Sequence, residues 1–196
     1  MYKIIRVYYD YIDEYFKNVD SKDIQYFDIN YNKMTIKRKK FFLYKLESYN
    51  NNKNTTVGLF GMFLITKDTA KTFFLHLNSS ERGKGIGYFL QYLRLFLTKK
   101  IFPSAKYIVT LCEESSTRAI RLYDKIYRID ENRSRLTNRT KAGTYIRYKS
   151  LLNYLINIDN DIVKFIKINN SELIRNIMLD KNKLIDLSSL NKNKNS

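Results

Sequence analysis

The stretch Ser79–Leu97, SSERGKGIGYFLQYLRLFL, sets Gly83, Gly85 and Gly87 on alternate positions directly before an amphipathic helical pattern. The whole 196-residue chain has only six glycines, so three within one short turn asks for a backbone reason. Glycines between a strand and a helix let main-chain N–H groups converge on a phosphate, with the positive end of the helix dipole behind them. Two phosphate motifs are excluded by the neighbouring residues. A Walker loop needs Gly-Lys followed by Ser or Thr, and Lys84 is followed by Gly85. A dinucleotide fingerprint needs a third glycine where Tyr88 stands. The structural alternative is a tight turn that uses glycine for conformational freedom alone.

Working outward, three apolar segments lead into this stretch. Lys40–Ser48 alternates in part, Thr56–Thr66 (TVGLFGMFLIT) reads as a buried strand, and Thr72–Asn78 (TFFLHLN) as a third, with turns at Asn50–Asn54 and Lys67–Thr69. Before them, Tyr2–Tyr9 reads as a strand. Asp10 can cap a helix to about Val19 that places Tyr11, Ile12, Tyr15 and Phe16 on one face. A short helix is expected over Ser21–Phe27. After the glycines, Phe89, Leu90, Tyr92, Leu93, Phe96 and Leu97 recur at helical spacing over Ile86–Lys99, and Pro103 ends that unit. Ala105–Leu111 is a strand, Thr117–Tyr127 a helix with Ser115 and Ser116 as cap candidates, and Thr144–Lys149 a last strand. The order implies an α/β protein of the α+β type, with helices on a mainly antiparallel mixed sheet. Residues 1–150 are expected to form the domain. Residues 151–196 form a C-terminal extension, with an amphipathic helix at Ser171–Leu179 and a disordered end, NKNKNS.

The composition bounds the function. A net charge of +17 would attract nucleic acid, acidic protein or phosphorylated ligands, whereas the abundance of Lys, Asn, Ile and Tyr also fits a base-composition bias of the gene. No apolar run reaches the length of about 18 residues that spans a membrane. The N-terminus carries early acids and no small-residue cleavage site, so it does not read as a signal peptide. A single cysteine, Cys112, and a single histidine, His76, exclude a disulfide within the chain and argue against a metal site. A reducing, cytoplasmic setting is expected.

The residues around the glycines narrow the choice. Arg82-Gly83-Lys84-Gly85-Ile86-Gly87 fits the pattern Arg/Gln-x-x-Gly-x-Gly/Ala and resembles the acetyl-CoA-binding motif of the GNAT N-acetyltransferase superfamily. One helix and one strand later, SSTRAIRLYDKIY resembles that family's Asn-x-x-Ala-x-x-Leu-Tyr-x-Lys-x-Gly-Phe helix, with Ala119, Leu122, Tyr123 and Lys125 matching. The resemblance spans roughly Tyr2–Lys149. It departs at Ser116 (Asn in the pattern), at Tyr127-Arg128 (Gly-Phe) and at Ser79, where a proline often stands.

The resemblance implies acetyl-CoA as co-substrate and direct transfer of acetyl to an amine in a ternary complex. Loop amides of Arg82, Gly83, Lys84, Gly85, Ile86 and Gly87 would hold the pyrophosphate. The backbone of Leu75 and Leu77 would pair with the pantetheine arm, with Leu77 N–H polarising the thioester carbonyl. Ser116 and Ala119 would also contact the cofactor, and Tyr123 would protonate the leaving thiolate. A phenol with a pKa of about 10 is matched to a thiol leaving group. The alternative for Tyr123 is a core position on an amphipathic helix.

The general base stays open. Lys71 occupies the position at which some members carry a base glutamate, His76 alternates with Leu75 and Leu77, and Glu113 and Glu114 follow the second strand. Arg118 and Arg121 join Arg82 and Lys84 as possible phosphate partners, and Cys112 reads as filler. For the acceptor, a protein N-terminus or lysine is the first expectation and a small amine the second. Two other classes remain: a non-catalytic CoA-binding module of this fold, and a basic nucleic-acid binder using Lys37–Lys40 and Arg133, Arg135, Arg139 and Lys141.

Overall fold

The computed structural model describes residues 2–8, 10–17, 19, 41–50, 53–127, 134–140, 143–156 and 184–185. The helix expected over Ser21–Phe27, the one over Ser171–Leu179 and the Lys37–Lys40 cluster lie outside them. Among the described residues eight strands form one sheet: β1 (Tyr2–Val7), β2 (Phe41–Asn50), β3 (Lys53–Leu64), β4 (Thr69–Leu77), β5 (Tyr107–Glu113), β6 (Ser134–Thr140), β7 (Gly143–Leu151) and β8 (Leu184–Ile185). Their order is β6-β7-β5-β4-β3-β2-β1-β8. β1 to β4 form an antiparallel meander. The only parallel pairing among the described strands is β4 with β5, because the chain crosses over through a helix between them.

The helices are α1 (Tyr11–Lys17), α2 (Ile86–Ile101), α3 (Thr117–Ile126) and α4 (Leu152–Ile156). α1 buries Ile12, Tyr15 and Phe16 against Leu43, Leu59, Phe63, Phe73 and Phe74. The larger cluster joins Tyr44, Leu46, Phe60 and Met62 of the sheet to Phe89, Leu90, Leu93 and Leu97 of α2, and extends to Tyr123 and Ile126 of α3 and Leu152 and Leu155 of α4. Alternate residues of β2 and β3 thus feed opposite faces, as the pleat requires.

Two strands escaped the sequence reading. β6, SRLTNRT, carries one large apolar residue and lies at the edge of the sheet, where alternation is not required. β8 is two residues long and pairs with Tyr2 and Lys3, so part of the C-terminal extension adds an edge to the sheet. Ser116 does take the N-cap position of α3, but its side chain makes no capping hydrogen bond. α3 ends without a left-handed residue. Tyr127, where the motif has glycine, sits at φ −86° and buries its ring in the core.

Candidate active site

The site begins where two strands part. β4 and β5 pair from Thr69↔Tyr107 to Thr72↔Thr110, and the described ladder stops there. The cause lies in the next two residues. Phe60 pairs with Leu75 but Gly61 pairs with Phe73, so Phe74 is an inserted bulge residue, and its φ is +46°. A bulge bends its strand and shifts its side-chain parity. Phe73 and Phe74 therefore both enter the α1 cluster, and Leu75 and Leu77 pack on the opposite side against the larger one.

Beyond the bulge the backbone of β4 addresses the gap. Asn78 N–H bonds to the carbonyl of Val57 at 2.8 Å, which sets the phase of the β3/β4 ladder. In that phase His76 bonds toward β3, while Leu75 and Leu77 turn their N–H groups toward the β5 side. Arg82 Nε closes the far end by donating to the Leu77 carbonyl at 2.8 Å.

The glycine loop follows a 3-10 turn at Ser79–Glu81. Gly83 and Gly85 hold φ of +80° and +78°, a region that other L-residues enter only at a cost of about 1 kcal/mol or more. Gly85 is the N-cap of α2 and offers no side chain, so the first amides of a 16-residue helix have no side-chain cap. Lys84 Nζ lies 3.2 Å from Glu81, whose carboxylate also accepts from the Tyr2 hydroxyl at 2.5 Å. Burial and this carboxylate push the Tyr2 phenol well above its ordinary value. The cradle is thus cationic but holds one acid of its own.

Tyr123 is the fixed side chain of α3. It is 5% exposed, between Tyr127 and Tyr148, and burial pushes its phenol up while Arg94 opposes that shift. Its hydroxyl accepts from Arg94 Nη2 at 3.4 Å. The same guanidinium donates through Nη1 to the carbonyl of Phe74, the bulge residue, at 2.7 Å. One side chain therefore spans the bulge and the Tyr123 hydroxyl. Arg94 escaped the sequence reading because it stands inside the apolar run of α2, where a lone arginine at helical spacing reads as an exposed position.

The other expected residues sort by place. Ala119 is half-buried against the large cluster and Ser116 lies at the α3 N-terminus. Cys112 is buried and not in a disulfide, with its thiol beside the carbonyl of Glu113. His76 is buried under α1, with Nδ1 2.5 Å from the Tyr15 hydroxyl and the two rings edge to face. That is the geometry of a satisfied core histidine. Lys71 lies over the Phe63 ring, Glu114 is exposed, and Glu113 is half-buried. No group of His, Cys, Asp and Glu side chains suited to a metal occurs among the described residues, and no described helix is long and apolar enough to cross a membrane.

The described mixed sheet with its flanking helices has the α/β fold of solved GNAT acetyltransferases. No family model matches the chain, and no curated protein matches its sequence. The likeness is one of structure. Similar solved structures include AAC(6')-Ib in complex with ribostamycin and coenzyme A, at 16% identity and TM-score 0.57, covering 82% of this chain and 98% of that one. They also include spermidine N-acetyltransferase from Vibrio cholerae with CoA and spermine, at 12% identity and TM-score 0.55, covering 80% and 98%. A third is a GNAT family acetyltransferase from Elizabethkingia anophelis with acetyl-CoA bound, at 14% and 0.52, covering 76% and 97%.

Proposed function

We propose that the chain is an acetyl-CoA-dependent N-acetyltransferase. The observation that carries this reading is the parting of β4 from β5 after Thr72, which leaves the N–H groups of Leu75 and Leu77 facing a gap that ends at the Arg82–Gly87 loop. An extended pantetheine arm can add to β4 there as a strand adds to a sheet edge. The pyrophosphate then meets the loop amides and the α2 N-terminus. Arg82 and Lys84 supply positive charge around it, and Ser116 and Ala119 flank the arm from α3.

Transfer follows from this placement. The amine nitrogen attacks the thioester carbonyl, whose oxygen gains charge and is stabilised by a main-chain N–H of β4, that of Leu77 in this reading. The C–S bond breaks as the Tyr123 O–H gives its proton to sulfur. The product nitrogen loses a proton to water, and the Tyr123 phenolate regains one from water. No side chain is assigned as base. Holding acetyl and amine in register supplies much of the rate.

The acceptor is an amine. A protein N-terminus or lysine is favoured, because a chain of charge +17 repels a free polycation unless acids line its path. The neighbours complexed with ribostamycin and with spermine make a small amine the second choice.

Titration with acetyl-CoA in a calorimeter, followed by thiol release with a peptide bearing a free N-terminus, kanamycin and spermine as probe acceptors, tests the reading. Saturable binding with acceptor-dependent release of CoA is expected. Binding without release to any probe makes the chain a CoA-binding module. Absence of binding by the folded protein overturns the reading.

A further inference from the structure

The fold buries a charge that its core does not need. Arg94 is 1% exposed, and among the described residues no carboxylate pairs with it. Its partners are the Phe74 carbonyl, the Gln91 side-chain oxygen and the Tyr123 hydroxyl, and its Nε has no hydrogen-bond partner. A buried cation held only by neutral groups is costly, so its place calls for a reason.

That place is the apex of the split. The last pair of the β4/β5 ladder is Thr72↔Thr110, whose hydroxyls lie 2.6 Å apart. Thr110 is in turn 2.6 Å from the Tyr127 hydroxyl, and the Tyr127 ring lies edge to face with that of Tyr123, the centroids 6.2 Å apart. Gln91 accepts from Arg94, which reaches the bulge on one side and Tyr123 on the other. Two polar sets thus meet the split: the hydroxyls of Thr72, Thr110 and Tyr127 at the last ladder pair, and Arg94, which joins the bulge to the phenol.

We propose that Arg94 is a positioning residue that couples the opening of the cleft, through the Phe74 carbonyl, to the orientation and acidity of the Tyr123 hydroxyl. The proposal rests on the acetyltransferase reading. When the Tyr123 O–H gives its proton to the departing sulfur, the phenolate forms beside a guanidinium already in place, with no water to reorganise. The guanidinium favours the phenolate and so opposes the rise that burial imposes on this phenol. Among the described residues, the titratable and charged groups facing Tyr123 are Arg94 from α2, Cys112 from β5, Tyr148 from β7 with Asp124 behind its hydroxyl, and Tyr127 of the same helix. Arg94 is the one cation among them.

The test uses the full chain as wild type, Arg94→Gln and Arg94→Lys. Gln keeps a donor without the charge, and Lys keeps the charge with a different reach. Two readouts are taken. The first is the NMR resonance of Tyr123 with carbon-13 at the ring carbon bearing oxygen, identified by its loss in Tyr123→Phe. The second is the pH profile of kcat with acetyl-CoA and the probe acceptors. In Arg94→Gln the Tyr123 resonance is expected to move. Its kcat should fall about 10-fold or more, and the high-pH limb should shift upward, because the phenol without its cation holds its proton more tightly. Arg94→Lys is expected to restore part of the limb position.

A Tyr123 resonance unmoved in folded Arg94→Gln overturns the proposal whatever the activity. Wild-type kcat with an unmoved limb in Arg94→Gln overturns the positioning role and leaves the acetyltransferase reading intact. No transfer by the wild type, with a resonance that still depends on Arg94, sinks the acetyltransferase reading and with it the catalytic role, while the coupling itself stands.

Discussion

The two halves of β4 obey different rules. From Thr69 to Thr72 the strand is hydrogen-bonded on both edges, alternates its faces, and ends in a buried pair of threonine hydroxyls. From Phe73 to Leu77 it keeps β3 and loses β5, after a bulge residue with positive φ. The first half is sheet on both edges, and the second half lines the proposed cleft. What separates them is a single inserted residue, held from behind by Arg94. On the proposed function, the cleft rests on a local defect that the surrounding packing keeps in place.

The largest effect is expected where the open half ends. Gly85→Glu puts a side chain on a left-handed N-cap and a negative charge where the pyrophosphate would sit. Acetyl-CoA affinity should fall about 100-fold or more, since charge-assisted bonds are lost and replaced by repulsion. Calorimetry measures it. Unchanged affinity would place the cofactor elsewhere and reduce the glycines to a turn.

Next comes the chemistry at the apex. Tyr123→Phe should lower kcat about 100-fold with acetyl-CoA affinity preserved, within the range of general-acid contributions. On the proposed mechanism the active form carries the phenolic proton. Because burial raises that pKa, activity should persist up to and beyond about pH 10 and fall only above it. That limb should vanish in the Phe variant. Full activity in Tyr123→Phe would return this residue to the core it also fills.

The two halves differ as well in how far they could be read in advance. The glycine loop and the α3 motif are backbone and packing requirements, and those are written as residue types at fixed spacing: Gly83, Gly85, Ala119, Tyr123. The alternation of Leu75 and Leu77 around His76 was legible too, because the pleat fixes it. The bulge at Phe74 was not, since phenylalanine carries no signal for a left-handed conformation. Arg94 and the Thr72–Thr110–Tyr127 chain were hidden for a related reason. Polar residues inside an apolar helix or strand read as surface until the tertiary structure closes over them. β6 was missed because an edge strand need not alternate.

The closed half can be weakened without touching the open one. Thr110→Val keeps the shape of a side chain that bonds to both Thr72 and Tyr127, and removes both bonds. Losing two buried hydroxyl contacts should cost about 1–3 kcal/mol and lower Tm by roughly 5 °C. Acetyl-CoA affinity should change by less than about threefold, because the loop and the exposed edge of β4 are untouched. A large loss of affinity with Tm unchanged would mean that the ladder's last pair shapes the cleft directly.

The smallest effect tests the cradle's own acid. Glu81 holds Lys84 at 3.2 Å and accepts from Tyr2, so its carboxylate competes with any phosphate for the lysine and lowers the local potential. Glu81→Gln leaves an acceptor for the Tyr2 hydroxyl and frees the ammonium. A half-exposed pair of this kind is worth about 0.2–1 kcal/mol. Acetyl-CoA should therefore bind about two- to fourfold more tightly, and the gain should shrink as salt screens it. Weaker binding would show that Glu81 acts first as a scaffold, tying the loop to β1 through Tyr2. The cofactor end of the open half would then depend on the far edge of the sheet as well as on its own glycines.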